Sequence, residues 1–174
     1  MNIGCQFLRE HMTSDCRLHY AFRDVGGTAP NVVQASASLH YYIRAARVDG
    51  MFRLFDRLNK VAGGAAMMTD TEVEIEYLGG CYERLPNSTL SDLVQQALEE
   101  APREAWTQDE LQFAHELNAT TPDLYKKQLA VYDLPEGTEL CDQVLPISTM
   151  DTFGSTDVGD VQHIVPGVSF VTAT

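Results

Sequence analysis

Histidine is the side chain in this sequence best suited to metal-assisted or acid-base chemistry, and its five copies are widely scattered. They are His11, His19, His40, His115 and His163. No pair has the H-x-x-x-H or H-E-x-x-H spacing that points two imidazoles from one helical face toward a zinc ion. His19 alternates with apolar neighbours, and we interpret it as a surface histidine on a strand. The histidines therefore predict no metal centre formed by this chain alone.

Two aspartates and a cysteine are weaker candidates for chemistry. Asp157 and Asp160 lie in a glycine-containing run and do not match the twelve-residue calcium loop. A glycine-containing turn with solvated carboxylates accounts for them. Cys81 has no base at a telling spacing, so we expect a buried thiol there and no nucleophile.

Asn31 and Arg44 are two side chains that can donate hydrogen bonds to negatively charged groups. A guanidinium grips a carboxylate through two parallel hydrogen bonds, and an asparagine amide donates to an oxyanion. Taken alone, the two positions favour a plainer interpretation, a turn asparagine and an exposed arginine at a strand end.

The composition excludes several classes of protein. The net charge of −13 comes mostly from residues 82–174, which hold sixteen Asp and Glu against four Lys and Arg. This acidic half repels phosphate backbones, so we expect no nucleic-acid partner. The sequence has neither a long apolar run nor a basic N-terminal stretch, so we expect no membrane span and no signal peptide. Four dispersed cysteines are typical of free thiols in a cytoplasmic protein.

The elements that must position these residues begin with a helix and two strands. Apolar residues at helical spacing predict a helix over 2–12. Alternating apolar residues predict strands over 17–25 and 36–44, separated by a Gly-Gly-Thr-Ala-Pro break.

A second helix and a third strand are predicted to follow. Apolar spacing from Val48 predicts a helix that ends at Gly63-Gly64. Residues 72–78 alternate apolar side chains with glutamates, which predicts a strand with one face in water. The order helix, strand, strand, helix, strand is the β-α-β-β-α-β split motif without its first strand.

The second half of the chain carries helix start signals. Asn87-Ser88 can cap one helix, Thr107 to Glu110 form a capping box for another, and Pro122 suits the first turn of a third. The tail is rich in Gly, Ser, Thr and Pro, with a short predicted strand at 168–171.

Three runs of residues resemble a known family. The runs are Arg17-Leu18-His19-Tyr20 with Gly26-Gly27 and Pro30-Asn31-Val32-Val33, then Tyr42-Ile43-Arg44, and then Gly154-Ser155-Thr156-Asp157-Val158-Gly159-Asp160. Their order and spacing resemble the aminoacylase and glutamate-carboxypeptidase family of metal-dependent amidohydrolases. Within it they look closest to the B subunits of the aminobenzoyl-glutamate hydrolases.

The resemblance implies an α+β chain in two parts. Residues 1–81 would be a ferredoxin-like lid and dimerisation domain that lacks its first strand. Residues 82–174 would be a C-terminal portion of an α/β metallohydrolase catalytic domain.

The resemblance also implies a chemistry, the hydrolysis of N-acyl amino acids such as p-aminobenzoyl-glutamate by a water on two zinc or manganese ions. Asn31 and Arg44 would contact the scissile carbonyl and the substrate carboxylate. Asp157 and Asp160 would lie near the metal site and support its wall, as the alternative to a solvated turn. Gln34 stands where the family usually has proline, so the loop after Asn31 would be less rigid. The metal-binding histidines, the bridging carboxylate and the Glu-Glu pair of the family have no counterpart here.

We therefore expect a truncated amidohydrolase that binds no metal alone and is inactive alone. Its expected partners are a second copy, joined through the lid, or a complementary catalytic chain. Two other hypotheses remain open: a non-enzymatic dimerisation or interaction module, and one chain of a split hydrolase.

Overall fold

The computed structural model describes residues 1–148 and 154–172, which divide into two compact units. The first unit comprises Met1–Arg84 together with Ser155–Asp160, and the second comprises Leu85–Gly154 with Val161–Thr174. The described chain is α+β, with a small antiparallel sheet and several helices. The assignment of residues 1–81 to a lid and of 82–174 to a catalytic domain stays a prediction.

The first unit is built on a β-hairpin and two helices. Helix α1 spans Asn2–Arg9, strand β1 spans Arg17–Asp24, strand β2 spans Ser38–Arg44, and helix α2 spans Val48–Thr69. The strands pair antiparallel, with Arg17 opposite Arg44 and Asp24 opposite Ser38. The alternating residues predicted both strands to within two residues.

One face of the hairpin meets the helices in an apolar core. Leu18 is 1% exposed and packs with Cys5 and Leu8 from α1 and with Leu54 and Leu58 from α2. Side chains alternate across a strand, so Arg17, His19 and Arg44 lie on the opposite, solvent-facing side. His19 is exposed, as predicted.

Helix α2 continues past Gly63-Gly64, so its predicted end was wrong. It stops at Asp70, which adopts a left-handed conformation with φ 51°. A glycine costs a helix only about 1 kcal/mol relative to alanine. Burial of Leu54, Leu58 and Ala62 on one face of the helix offsets that cost.

The prediction of a third strand at residues 72–78 is also wrong. This segment has no regular secondary structure, and the sheet within the described residues contains β1 and β2 alone. Its apolar residues are about half exposed: Val73 46%, Ile75 46% and Tyr77 54%. An alternating sequence forms a strand only when a neighbouring strand offers partners for its backbone.

The second unit contains three helices that begin at the predicted signals. Helix α3 spans Ser88–Glu100, α4 spans Gln108–Thr120 and α5 spans Pro122–Tyr132. The Asn87 side chain accepts a hydrogen bond from Leu90 N, and Thr107 with Glu110 forms the predicted capping box. Pro122 occupies the first turn of α5, where its missing N–H leaves no hydrogen bond unmade.

The tail forms a short helix, α6, over Val158–Gln162. The strand predicted at 168–171 is absent from the structure, where these residues are irregular. None of the helices in the described residues combines the length and the apolarity that a membrane crossing requires.

Candidate functional site

Asn31 lies at the tip of the loop that joins β1 to β2. Gly26 and Gly27, at the base of this loop, lie against Ser36 and Gln34. Residues 28–33 therefore form the tip, where the backbone of Val32 donates to Ala29 O in a turn around Asn31. The Asn31 side chain is exposed, so a ligand can reach it.

Gly26 makes the base of this loop possible. Its φ is 76°, and a Cβ built on it would come within 2.1 Å of the Ser36 carbonyl oxygen. Only glycine combines this left-handed conformation with so close an approach. The predicted break between the strands is confirmed here, since Gly26 and Gly27 both have positive φ, 76° and 143°.

Arg44 lies at the other end of the hairpin. It is the last residue of β2 and is exposed on the solvent-facing side of the sheet. Its cross-strand partner is Arg17, whose guanidinium donates to the carbonyl oxygens of Ser14 and Cys16. The Asp15 carboxylate, which accepts a hydrogen bond from Ala46 N, lies at the same corner near Arg17, so both signs of charge are present there.

The structure therefore does not bring Asn31 and Arg44 together. Strand β2 runs from Ser38, beside the loop, to Arg44. A strand rises about 3.3 Å per residue, so the length of β2 alone separates the two sites by about 20 Å. A single N-acyl amino acid is too short to contact both residues of one copy.

The glycine-containing acidic run near the C-terminal end acts as an anchor inside the first unit. The Asp160 carboxylate accepts a hydrogen bond of 2.7 Å from Tyr82 N. A Cβ on Gly159 would come within 2.1 Å of Tyr82 O, so glycine is required for this approach. Asp157 contributes its backbone carbonyl to the helical turn that contains Asp160. These contacts favour the structural interpretation of the run.

A second tether fixes the start of helix α2, directly after Arg44. The Glu83 carboxylate accepts a hydrogen bond of 3.0 Å from Val48 N, and it lies 3.8 Å from the Arg47 guanidinium. A carboxylate at a helix N-terminus also stabilises the helix dipole. Glu83 and Asp160 together hold the segment after Cys81 in place.

Sequence reasoning missed a polar cluster in the second unit. The His115 Nδ1 atom lies 2.7 Å from Glu139 Oε1, and Asn118 Nδ2 donates to Glu139 Oε2 at 2.9 Å. Hydrogen bonds from Asn118 and His115 lower the pKa of Glu139. The hydrogen bond to Glu139 raises the pKa of His115. The partners are 24 residues apart, so no local spacing could have predicted the cluster.

The described residues do not fit a two-metal centre. Across residues 1–148 and 154–172, no three His, Cys, Asp or Glu side chains are placed to hold a metal ion. A structural or catalytic zinc needs at least three converging protein ligands. No catalytic step through a metal is therefore assigned to this chain.

The prediction that Cys81 is buried was wrong, since its side chain is exposed. Cys5 and Cys16 are buried in the first unit, and Cys141 is half-buried. All four are free thiols, as predicted from their dispersed positions.

Comparison with known proteins identifies the family through one long match. No protein-family model matches the sequence, and no solved structure matches it significantly. A curated relative aligns over 181 residues at 36% identity, which covers 95% of this chain. The chain belongs to the amidohydrolase family, in its aminobenzoyl-glutamate hydrolase branch.

The relative is the B subunit of p-aminobenzoyl-glutamate hydrolase from Escherichia coli (strain K12). The alignment covers 38% of that protein, so this chain spans well under half of the length of its relative. The resemblance stated from the three sequence runs is confirmed at the level of this branch.

Proposed function

We propose that this chain supplies substrate contacts to an amidohydrolase that cleaves N-acyl amino acids of the aminobenzoyl-glutamate type. The observation that carries the proposal is the 36% identity maintained over 95% of the chain. The chain would be inactive alone, because its described residues offer no metal-binding cluster for the water-activating step. The missing ligands would come from a complementary polypeptide, in keeping with a relative that is itself named a subunit.

In this proposal Arg44 binds the carboxylate of the amino-acid part of the substrate. Arg44 is an exposed residue at the end of β2. A guanidinium binds a carboxylate through a bidentate pair of hydrogen bonds. Asn31, exposed at the loop tip, donates from its amide to the scissile carbonyl oxygen as negative charge develops there.

The distance between the two residues gives this proposal a specific geometry. Because about 20 Å of strand lies between them, one substrate would contact Asn31 of one copy and Arg44 of another. A two-fold homodimer would then contain two equivalent sites, each shared between the copies. The free thiols of all four cysteines fit a reducing compartment, and a cytoplasmic location is part of the proposal.

The first test measures p-aminobenzoyl-glutamate hydrolysis with added zinc or manganese. The chain alone is expected to give no turnover, and turnover is expected when a polypeptide that carries the missing metal ligands is co-expressed. Arg44→Lys keeps the charge but loses the bidentate geometry, so it is expected to raise KM about tenfold or more. Turnover by the purified chain alone would contradict the need for a complementary polypeptide.

The second test separates a shared site from a site within one copy. Asn31→Ala and Arg44→Ala are each expected to abolish most of the turnover of the co-expressed assembly. In a mixed dimer of the two variants, one shared site regains both native residues, so random mixing restores about a quarter of the wild-type rate. If mixing restores nothing while native mass spectrometry shows mixed dimers, the shared-site geometry is wrong.

A further inference from the structure

Two arginines lie directly opposite each other at the end of the β-hairpin away from the loop. Arg17 is the first residue of β1 and Arg44 is the last residue of β2, and the strand register pairs them. Both are exposed, and both occupy solvent-facing positions of their strands. Directly opposed residues of an antiparallel pair have Cβ atoms about 4.5–5.5 Å apart. The two arginine side chains therefore start from neighbouring positions on one surface of the first unit.

This pairing of arginines is unfavourable for the sheet itself. Like charges directly opposite each other destabilise an antiparallel pair of strands, whereas opposite charges stabilise it. A carboxylate opposite Arg44 would therefore give a more stable hairpin than Arg17 does. A ligand with two carboxylates would remove this cost, because it can accept charge-assisted hydrogen bonds from both guanidinium groups at once.

The Arg17 guanidinium is held in place by the turn that precedes β1. Its Nη1 atom donates to Ser14 O at 2.5 Å and to Cys16 O at 2.7 Å. Both hydrogen bonds use Nη1, so the edge formed by Nε and Nη2 keeps the parallel donors that bind a carboxylate bidentately. Because the head group is already fixed by the backbone, Arg17 loses less side-chain entropy when a ligand binds.

Asp15 is an acidic residue at the same corner, and its carboxylate is engaged by other groups. Asp15 Oδ2 accepts a hydrogen bond of 3.3 Å from Ala46 N. Hydrogen bonds from Thr13 and Ala46 lower the pKa of Asp15 more than the charge of Arg17 does. Among the described residues, Asp15 and Arg17 form no salt bridge. Asp15 therefore does not take the place of a ligand at Arg17.

We propose that Arg17 is a specificity-determining residue that binds a second carboxylate, the one on the side chain of the amino-acid part of the substrate. Arg44 binds the α-carboxylate, as in the proposed function, on which this inference rests. The two carboxylate carbons of a glutamate-type acid lie about 5 Å apart when extended, because each C–C bond is about 1.5 Å. This distance matches the separation of the opposed arginine positions. The substrates selected by the pair are therefore N-acyl derivatives of dicarboxylic amino acids.

The test titrates the full, isotope-labelled chain with N-benzoyl-glutamate and with N-benzoyl-glutamine. Glutamine replaces the side-chain carboxylate by an uncharged amide of nearly the same shape. Hydrogen bonds to an ionised group are about twice as strong as those between neutral groups, so benzoyl-glutamate should bind about tenfold more tightly. The Nε–Hε NMR signal of Arg17 should shift mainly with benzoyl-glutamate, whereas that of Arg44 should shift with both ligands.

Variants of three arginines assign the two contacts. Arg17→Gln should reduce the preference for benzoyl-glutamate to less than about twofold and leave the binding of benzoyl-glutamine nearly unchanged. Arg17→Lys keeps the charge without the bidentate geometry and should retain only part of the preference. Arg44→Gln should weaken the binding of both ligands. Arg23→Gln, at an exposed position of the same strand as Arg17, changes the net charge equally and should keep the full preference.

Arg17 also stabilises the turn before β1, so circular dichroism checks that each variant is folded. The wild-type chain supplies a test that needs no variant. Equal binding of the two ligands, or no binding of benzoyl-glutamate at millimolar concentrations, would overturn the role of Arg17. A loss of preference in Arg23→Gln equal to that in Arg17→Gln would also overturn it, because attraction to net charge would then explain the binding.

Failure of this inference is distinct from failure of the proposed function. If both ligands bind equally and Arg44→Gln weakens both, the contact of Arg17 with a second carboxylate is wrong while the contact of Arg44 with the α-carboxylate stands. No step of this test measures hydrolysis, so the turnover of the co-expressed assembly decides the amidohydrolase activity separately.

Discussion

The two units of the chain are stabilised in different ways. Among the residues that the structure describes, nine apolar side chains are buried, of which seven lie in the first unit. Ala114 and Leu129 are the two in the second unit. The first unit depends on contacts between residues distant in sequence, whereas the helices of the second depend largely on local caps and on a polar cluster. Substitutions in the apolar core should therefore destabilise mainly the first unit, and substitutions at helix caps should destabilise mainly the second.

The largest expected effect is the loss of the Leu18 side chain. Because Leu18 is 1% exposed, Leu18→Ala should lower the free energy of unfolding of the first unit by about 2–5 kcal/mol. Urea unfolding followed by circular dichroism measures this. The single tryptophan, Trp106, lies in the second unit, and its fluorescence midpoint should stay unchanged.

Ile3→Ala is the control for Leu18→Ala, because Ile3 is 76% exposed in the same unit. It should change the unfolding free energy by at most about 0.5 kcal/mol. An equal shift of the Trp106 fluorescence midpoint by Leu18→Ala would show that the two units unfold together, and the comparison would then fail.

A smaller effect is expected at the capping box of α4. Thr107→Ala removes the acceptor for Glu110 N and should lower the stability of the second unit by about 1 kcal/mol. Trp106 fluorescence during urea unfolding is the measurement. Thr121 occupies the equivalent position of α5 without a side-chain cap bond, so Thr121→Ala should have a clearly smaller effect. Equal losses for the two variants would show that the hydrogen bond is not the source of the stability.

The smallest expected effect is a pH dependence from the pair His115 and Glu139. The raised pKa of His115 gives stability that is complete below 6.5, the usual histidine value, and is lost as the pH rises through the folded value. The lowered pKa of Glu139 gives stability that is present above 4.5 and is lost in acid. The pair should therefore stabilise the second unit most between pH 4.5 and 6.5.

Unfolding midpoints from pH 4 to pH 9, read by Trp106 fluorescence, test this dependence. His115→Gln should flatten the decline above neutral pH, whereas His11→Gln, in the first unit, should leave the Trp106 profile as it is. The dependence should weaken in salt, because the His115 side chain is 63% exposed. If His115→Gln leaves the pH profile of the wild-type chain unaltered, the pair of His115 and Glu139 does not contribute to the pH dependence of the second unit.

The sequence predicted elements wherever the determining interaction is local. The cap at Asn87, the box at Thr107 and the proline at the start of α5 are read from adjacent residues, and the structure contains each. The sequence-based predictions were wrong where the structure of a segment depends on residues distant in sequence. Alternation in residues 72–78 indicated a strand, but backbone pairing needs a neighbour that the pattern itself does not encode.

The candidate site was predictable only in part, for the same reason. The family resemblance predicts Asn31 and Arg44, but their separation follows only from the strand register, which places Arg17 opposite Arg44 at the end of the hairpin away from the loop. The link between Glu139 and His115 had no sequence signature, since it joins two segments that share no periodicity.

The hydrogen bond from Tyr82 N to the Asp160 carboxylate joins two residues of the first unit that are 78 positions apart, and the chain between them passes through the second unit. The length-dependent entropy cost of closing a flexible chain of that size is about 4 kcal/mol, whereas one hydrogen bond returns about 1 kcal/mol. The close packing of Gly159 against Tyr82 and the folding of the intervening residues must supply the rest of the stabilising free energy. Leu85 N and Gln162 Oε1, 2.9 Å apart, form a similar closure in the second unit. Each unit is therefore completed by a segment from near the C-terminal end, whose hydrogen bond to it spans 77 or 78 positions of sequence.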